Sequence, residues 1–260
     1  MDETGQLIKL LEKKEKLVAL LAPSFPIMYS YPQIIGKLKR LGFSFVVEVA
    51  AGAQKTNEAV YRALQENPQG RFITNPCPTI TRLIKNKFPS LEKFLLTVDP
   101  PMIATARLVN ASYPGLRPVF IGPCITKKIE ASVDYPELNI LVLTFKELNT
   151  VLGQLKFTDQ DSDKTAQFDL GWSPTRLYPL SGGLVQSCGV GKILAQDQIA
   201  EISGPKNCEE ALRAFEKNEA IRLLDILYCD GGCVGGPGID SHLPLDDRRQ
   251  KVVNFWHQFS

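Results

Sequence analysis

Short apolar runs recur along the chain, each followed by a stretch whose apolar positions repeat every three or four residues. Residues 17–22 and 43–49 read as strands, and a helix is predicted over 32–41, stopped by Gly42, a favoured residue just past a helix end. Further strands are predicted at 72–75, 118–122, 140–144 and 221–228. Helices fall between and after them at 56–65, 79–87, 101–110, 145–155, 209–217 and 248–259. Thr144 and Glu147 have the spacing of a capping box that opens the 145–155 helix. Ahead of all this, residues 3–16 form a short amphipathic helix with Leu7, Ile8, Leu10 and Leu11 apolar, which covers the body of the protein. Only 156–206 breaks the rhythm, and a polar stretch that long reads as a functional loop rather than a plain connector. Strands alternating with helices predict an α/β fold with parallel sheets flanked by helices. The expected layout is one domain over 1–260 with two such lobes, at 17–116 and 117–239.

Bulk composition narrows the class. With 260 residues, 44 % hydrophobic and 22 % charged, the chain is long enough and apolar enough to bury a core. A formal charge of +2 gives no drive toward nucleic acid or an anionic membrane surface. Met1-Asp2-Glu3-Thr4 lacks the order of a signal peptide, and no apolar run approaches the roughly 18 residues of a membrane span. Six cysteines without an export signal point to a reduced, cytoplasmic protein rather than three disulfides.

The cysteines change the picture most. Cys77 and Cys124 each end an apolar strand in matched phrases, Thr74-Asn75-Pro76-Cys77-Pro78-Thr79 and Ile121-Gly122-Pro123-Cys124-Ile125-Thr126. Cys229 and Cys233 close a glycine-rich loop after the last predicted strand, running from Tyr228 to Gly238. Ligands of open α/β sheets gather beyond the carboxyl ends of the strands, so these thiols predict one shared, buried metal centre between the lobes. The soft ligand set suits iron–sulfur or zinc. Helix N-termini after Cys77 and Cys124 would favour thiolates, and the glycines would bring N–H groups to an anionic cofactor. Plain buried thiols are the duller alternative, but glycine-rich loops make poor core. Structural zinc usually shows two C-x₂-C pairs; here the one close pair is C-x₃-C and the other two ligands lie far upstream, which favours a cluster. Cys188 and Cys208 have no such context and read as ordinary thiols. His242 and His257 lie in no nucleophile motif, which argues against a hydrolase.

Read together, the Cys77 phrase, Gly122-Pro123-Cys124-Ile125-Thr126-Lys127-Lys128-Ile129-Glu130-Ala131 and the 223–238 segment resemble the three signatures of the iron-only (FeFe) hydrogenase catalytic domain. Leu21-Ala22-Pro23-Ser24 and Leu180-Ser181-Gly182-Gly183-Leu184 fit the same family, so the resemblance covers about 17–238. Its variants look most like the divergent branch of hydrogen-sensing proteins. The resemblance implies an H-cluster. Cys77, Cys124, Cys229 and Cys233 would hold a 4Fe–4S cluster, and Cys233 would bridge to a di-iron subcluster carrying CO, cyanide and a dithiolate bridge. It also implies that Lys127 hydrogen-bonds a cyanide, that Pro23, Ser24 and Pro123 line the di-iron pocket, and that Gly182 and Gly183 allow close approach to it. Lys128 reads as a surface residue.

Three departures from the family pattern follow. Pro76 stands where active members place a proton-donor cysteine, and Gly122 and Leu227 stand at methionine-type positions. Glu130 matches a glutamate of the usual proton path, which then lacks its thiol end. Relays of this kind are worth about 10²–10⁴ in rate, so slow turnover is expected. The six cysteines leave no motif for ferredoxin-like clusters. Electrons are then expected from a separate ferredoxin-like carrier, the cluster from hydrogenase maturation enzymes, and any signalling output from another protein. Three readings compete: a slow hydrogenase, a hydrogen sensor with little turnover, and a 4Fe–4S-only protein of electron transfer or cluster assembly.

Overall fold

A computed structural model describes residues 2–258 of the chain. Among the described residues, seven strands form two sheets, both wholly parallel. The first has the order β2-β1-β4-β5, built from β1 (Leu17–Leu21), β2 (Phe43–Glu48), β4 (Arg117–Gly122) and β5 (Leu141–Thr144). The second has the order β3-β7-β6, built from β3 (Phe72–Ile73), β6 (Ile199–Ser203) and β7 (Leu223–Leu227). The central strands β1 and β7 are buried at every residue, which is why they read as apolar runs rather than alternations, broken in β7 only by Asp225.

The α/β fold with parallel, helix-flanked sheets is as expected, but the division at residue 117 is not. Strands β4 and β5 return to pair beside β1, while β3 leaves the first half of the chain to pair with β7. The two sheets interleave in sequence because parallel neighbours need a crossover and any later strand can supply it.

Helices cover both sheets. In the first, α2 (Gln33–Leu41), α7 (Phe145–Gln154) and α10 (Leu245–Gln258) add Ile35, Leu38, Leu148 and Phe255 to the core around β1. Helix α1 (Glu3–Glu12) buries Leu7 and Leu10 against α7 and β5, as a covering helix should. In the second, α4 (Pro78–Lys87) and α9 (Pro205–Lys217) pack one apolar cluster with Ile73 and Leu224. Helices α3 (Ala50–Glu66) and α8 (Gly183–Cys188) contribute to another with Leu223, and α5 (Pro101–Ser112) lies along α3. The Thr144–Glu147 capping box opens α7. The expected closing helix at 248–259 begins earlier, at Leu245, and its residue 259 lies outside the described residues. No helix among the described residues is long and apolar enough to cross a membrane.

The 156–206 stretch is tied down rather than free. Buried Asp163 accepts two hydrogen bonds from Arg40, at 2.7 and 2.8 Å, and Asp169 accepts from the Val46 amide at 2.8 Å. Arg176 meets the fully buried Glu48 at the end of β2 through contacts of 2.8–3.1 Å. This pairing sets Tyr178 and Pro179 at the carboxyl edge of the sheets. The same stretch also holds α8 and β6, which the sequence reading left irregular.

Candidate cluster site

The four expected cysteines all follow strands, at the carboxyl ends of the two sheets. Cys124 follows β4 of the first sheet; Cys77 follows β3, and Cys229 and Cys233 follow β7, of the second. Each matched phrase thus comes from a different sheet. The hydroxyls of Thr79 and Thr126, each two residues past its cysteine, are bonded to one another at 2.9 Å.

Local structure explains how each thiol is aimed. Cys77 is the N-cap of α4, with Pro78 in the first turn. Cys124 receives the backbone N–H groups of Thr126 and Lys127 at the start of α6 (Lys127–Ile129), which runs on into a π turn at Glu130–Asp134. The 228–238 loop lies against both. Gly232 adopts φ +99°, and a Cβ there would stand 2.5 Å from the Pro179 carbonyl oxygen. A Cβ on Gly236 would stand 2.7 Å from the carbonyl oxygen of Pro123, which itself accepts from the Gly238 amide at 2.8 Å. Glycine is what lets this loop touch the Cys124 phrase.

The thiols share one electrostatic environment. Burial pushes Cys124 up, opposed by the Lys127 ammonium and reinforced by Cys77. Burial, then Cys77 and Cys124, push Cys229 up to about 12, and burial with all three other cysteines drives Cys233 well above the usual thiol range. Cys124, Cys229 and Cys233, part-buried and pushed up beside one another, favour the thiolate when a cation binds them. Among the described residues, no three His, Cys, Asp or Glu side chains converge closely enough to chelate a single ion. Cys208 also feels Cys77 and Cys229, but it is buried in the core of the second sheet with its thiol on the Leu227 carbonyl, and Cys188 hydrogen-bonds the Asn57 carbonyl.

Beside Cys124 and Cys233 lies an apolar cavity of about 70 Å³, room for several water-sized groups. Pro23, Ser24, Pro123, Lys127 and Leu227 line it. Two polar groups address it. The Ser24 hydroxyl is buried without a hydrogen-bond partner. The Lys127 ammonium donates to the Pro76 carbonyl at 3.1 Å and to Glu130 at 2.6 Å, leaving one of its three N–H bonds for the cavity. An unpaired hydroxyl and a spare ammonium N–H in an apolar chamber beside cluster thiols fit a ligand with hydrogen-bond acceptors, as a cyanide-bearing di-iron unit is.

Other expected residues fall elsewhere. Gly182 and Gly183 are not on the cavity wall: a Cβ on Gly183 would strike the Leu177 carbonyl and one on Gly182 the Glu201 carboxylate, so both serve the packing of the 177–183 turn. Glu130 is not on the wall either; burial raises its carboxyl and the Lys127 ammonium opposes that, as an ion pair. The space a larger residue at Gly122 would take is filled by the Phe120 ring, 2.5 Å from where a Cβ would sit. Sequence reasoning missed Met102, Phe120 and Tyr178 in the wall. Nothing in their local pattern distinguishes them from core.

Comparison with known proteins places the chain in a family. The family described as "Iron only hydrogenase large subunit, C-terminal domain" matches residues 15–237. A cytosolic Fe-S cluster assembly factor NAR1 of Encephalitozoon cuniculi is 25 % identical over 221 residues, covering 74 % of this chain and 58 % of that protein. Iron hydrogenase 1 of Clostridium pasteurianum is 23 % identical over 266 residues, covering 82 % and 46 %. The chain therefore spans about half the length of these relatives. A structure of the FeFe hydrogenase HydA1 from Chlamydomonas reinhardtii superposes with TM-score 0.74 over 97 % of this chain and 88 % of that one, at 16 % identity, a likeness of fold. With a family match over residues 15–237, this protein belongs to the iron-only hydrogenase large subunit, C-terminal domain family.

Proposed function

We propose that this protein holds a 4Fe–4S cube on Cys77, Cys124, Cys229 and Cys233 and a di-iron unit in the adjoining cavity, and that it turns hydrogen over slowly. The observation that carries this reading is the cavity itself, apolar except for the unpaired Ser24 hydroxyl and the Lys127 ammonium. When bound, the di-iron unit supplies the iron site for reversible hydrogen oxidation and the cube supplies the electron path. The chain's residues do the rest. Pro23, Pro123 and Leu227 exclude water, while Ser24 and Lys127 orient the unit through hydrogen bonds. Pro76 offers only a carbonyl, already taken by Lys127, where a proton donor is needed, so protons reach the cavity without a side-chain relay at that end. A loss of about 10²–10⁴ in rate follows relative to a relay-equipped site. A ferredoxin-like carrier would deliver electrons and hydrogenase maturation enzymes would install the di-iron unit; in a sensing role, a separate signalling protein would carry the output.

The relatives named as Fe-S cluster assembly factors favour a second reading, in which only the cube is held and the protein serves electron transfer or cluster assembly. Anaerobic reconstitution with iron and sulfide, followed by a synthetic di-iron complex, separates the two. Infrared bands of CO and cyanide with slow hydrogen evolution from a strong reductant are expected. Iron uptake without those bands would move the assignment to the cube-only reading, and no iron uptake would end both.

A further inference from the structure

Lys127 and Glu130 form a pair that the cavity alone does not account for. Their side chains are 10 % and 4 % exposed, and their charged atoms lie 2.6 Å apart. Glu130 reaches Lys127 because residues three apart share one face of the helical segment. The lysine's charge is felt at the site, since it acts on both Cys124 and Cys233. Arg82 and Asp134, which also act on Glu130, are paired with each other at 2.7 Å nearer the surface and largely cancel, while Asp230, which acts on Cys229, is unchanged by the substitutions below. An ammonium paired with a carboxylate is neutral as a unit, whereas an unpaired one in this poorly solvated place would be a full positive charge beside the thiols.

We infer that Glu130 is a positioning residue that sets the reduction potential of the cube by neutralising and anchoring the Lys127 ammonium. This rests on the reading that the four cysteines hold a 4Fe–4S cube. Reduction adds one electron to the cube, drawn from the carrier or a chemical reductant, and makes it more negative; a net positive neighbour favours that step. Glu130 therefore holds the potential below the value Lys127 alone would set.

The test is a potentiometric titration of the reconstituted cube, followed by electron paramagnetic resonance without any di-iron unit. Glu130→Gln is expected to shift the midpoint to a more positive potential. Glu130→Asp, which keeps the charge, should stay near the wild type, and so should the double change Lys127→Gln with Glu130→Gln, which restores neutrality. A purely structural role would not produce a shift that the second substitution cancels. Glu130→Met repeats the charge change with a different shape should the glutamine variant lose its cube. An unchanged or more negative midpoint in either neutral variant overturns the proposal. Loss of the cube in both neutral variants and in the double variant also overturns it, by showing a structural staple. A wild-type chain that assembles no cube would instead bring down the reading beneath it.

Discussion

At the scale of single residues, Ser24 gives the sharpest test because its effect should change sign. A buried hydroxyl without a partner costs about 1–3 kcal/mol, and here nothing in the protein satisfies it. Ser24→Ala should therefore raise the melting temperature of the cluster-free protein by a few degrees, given about 2–4 °C per kcal/mol at this size. The same change should reduce retention of the CO- and cyanide-bearing unit, read by infrared bands after desalting. A lower melting temperature for the cluster-free variant would mean the hydroxyl is satisfied within the protein, and the ligand role would fall. Cys77 and Cys124 were legible in the sequence because each follows a strand and a proline, Cys229 and Cys233 because they close a glycine-rich loop, and Lys127 only through the motif around Cys124. Ser24 was legible only through its motif, and Met102 and Phe120 not at all, because an apolar wall residue and an apolar core residue look alike until packing places them.

Among the elements, the β3–β7 pair carries an unusual carboxyl. Asp225, in the middle of β7, is buried; its Oδ1 accepts from Thr74 at 3.1 Å and its Oδ2 has no hydrogen-bond partner. Burial, against the pull of the Thr74 hydroxyl, raises its pKa from 3.8 to about 7. The folded state then keeps a proton that the unfolded chain releases. Its contribution is most favourable below about pH 4, is lost as pH rises toward 7, and stays lost above that. Asp225→Asn should remove this dependence. The stability of the variant relative to the wild type, measured by urea melts, should rise by a few kcal/mol between pH 4 and pH 7 and then level off. A constant difference across that range would show that the carboxyl is not buried as described. This element also shows where sequence reading stops. Strand β7 was clear from its apolar run, but β3 spans only Phe72–Ile73, and its partner is fixed by pairing rather than by composition. Strand β6 was missed because Ile199–Ser203 is an edge strand, only part-buried, that shows neither an apolar run nor a clean alternation.

Across the whole molecule, the interleaved sheets give the proposed cluster a mechanical role. Cys124 comes from the first sheet and the other three ligands come from the second, so the cube would join two layers also linked here by packing, by the Gly238–Pro123, Thr79–Thr126 and Lys127–Pro76 bonds and by the Arg82–Asp134 ion pair. A group that binds only the folded chain stabilises it by RT ln(1 + [L]/Kd), about 4 kcal/mol at a thousandfold excess over Kd. At about 2–4 °C per kcal/mol, the reconstituted protein should melt roughly 10 °C above the cluster-free protein. Hydrogen exchange should slow at the carboxyl ends of β4 and β7 together, because the clamp ties both sheets. Cys124→Ala removes the one ligand from the first sheet. It should forfeit the gain at β4 even where some iron remains on the other three thiols. Equal melting temperatures with and without iron, or slowing confined to β7, would show that the thiols do not share one cluster, and the assignment of the site would go with it.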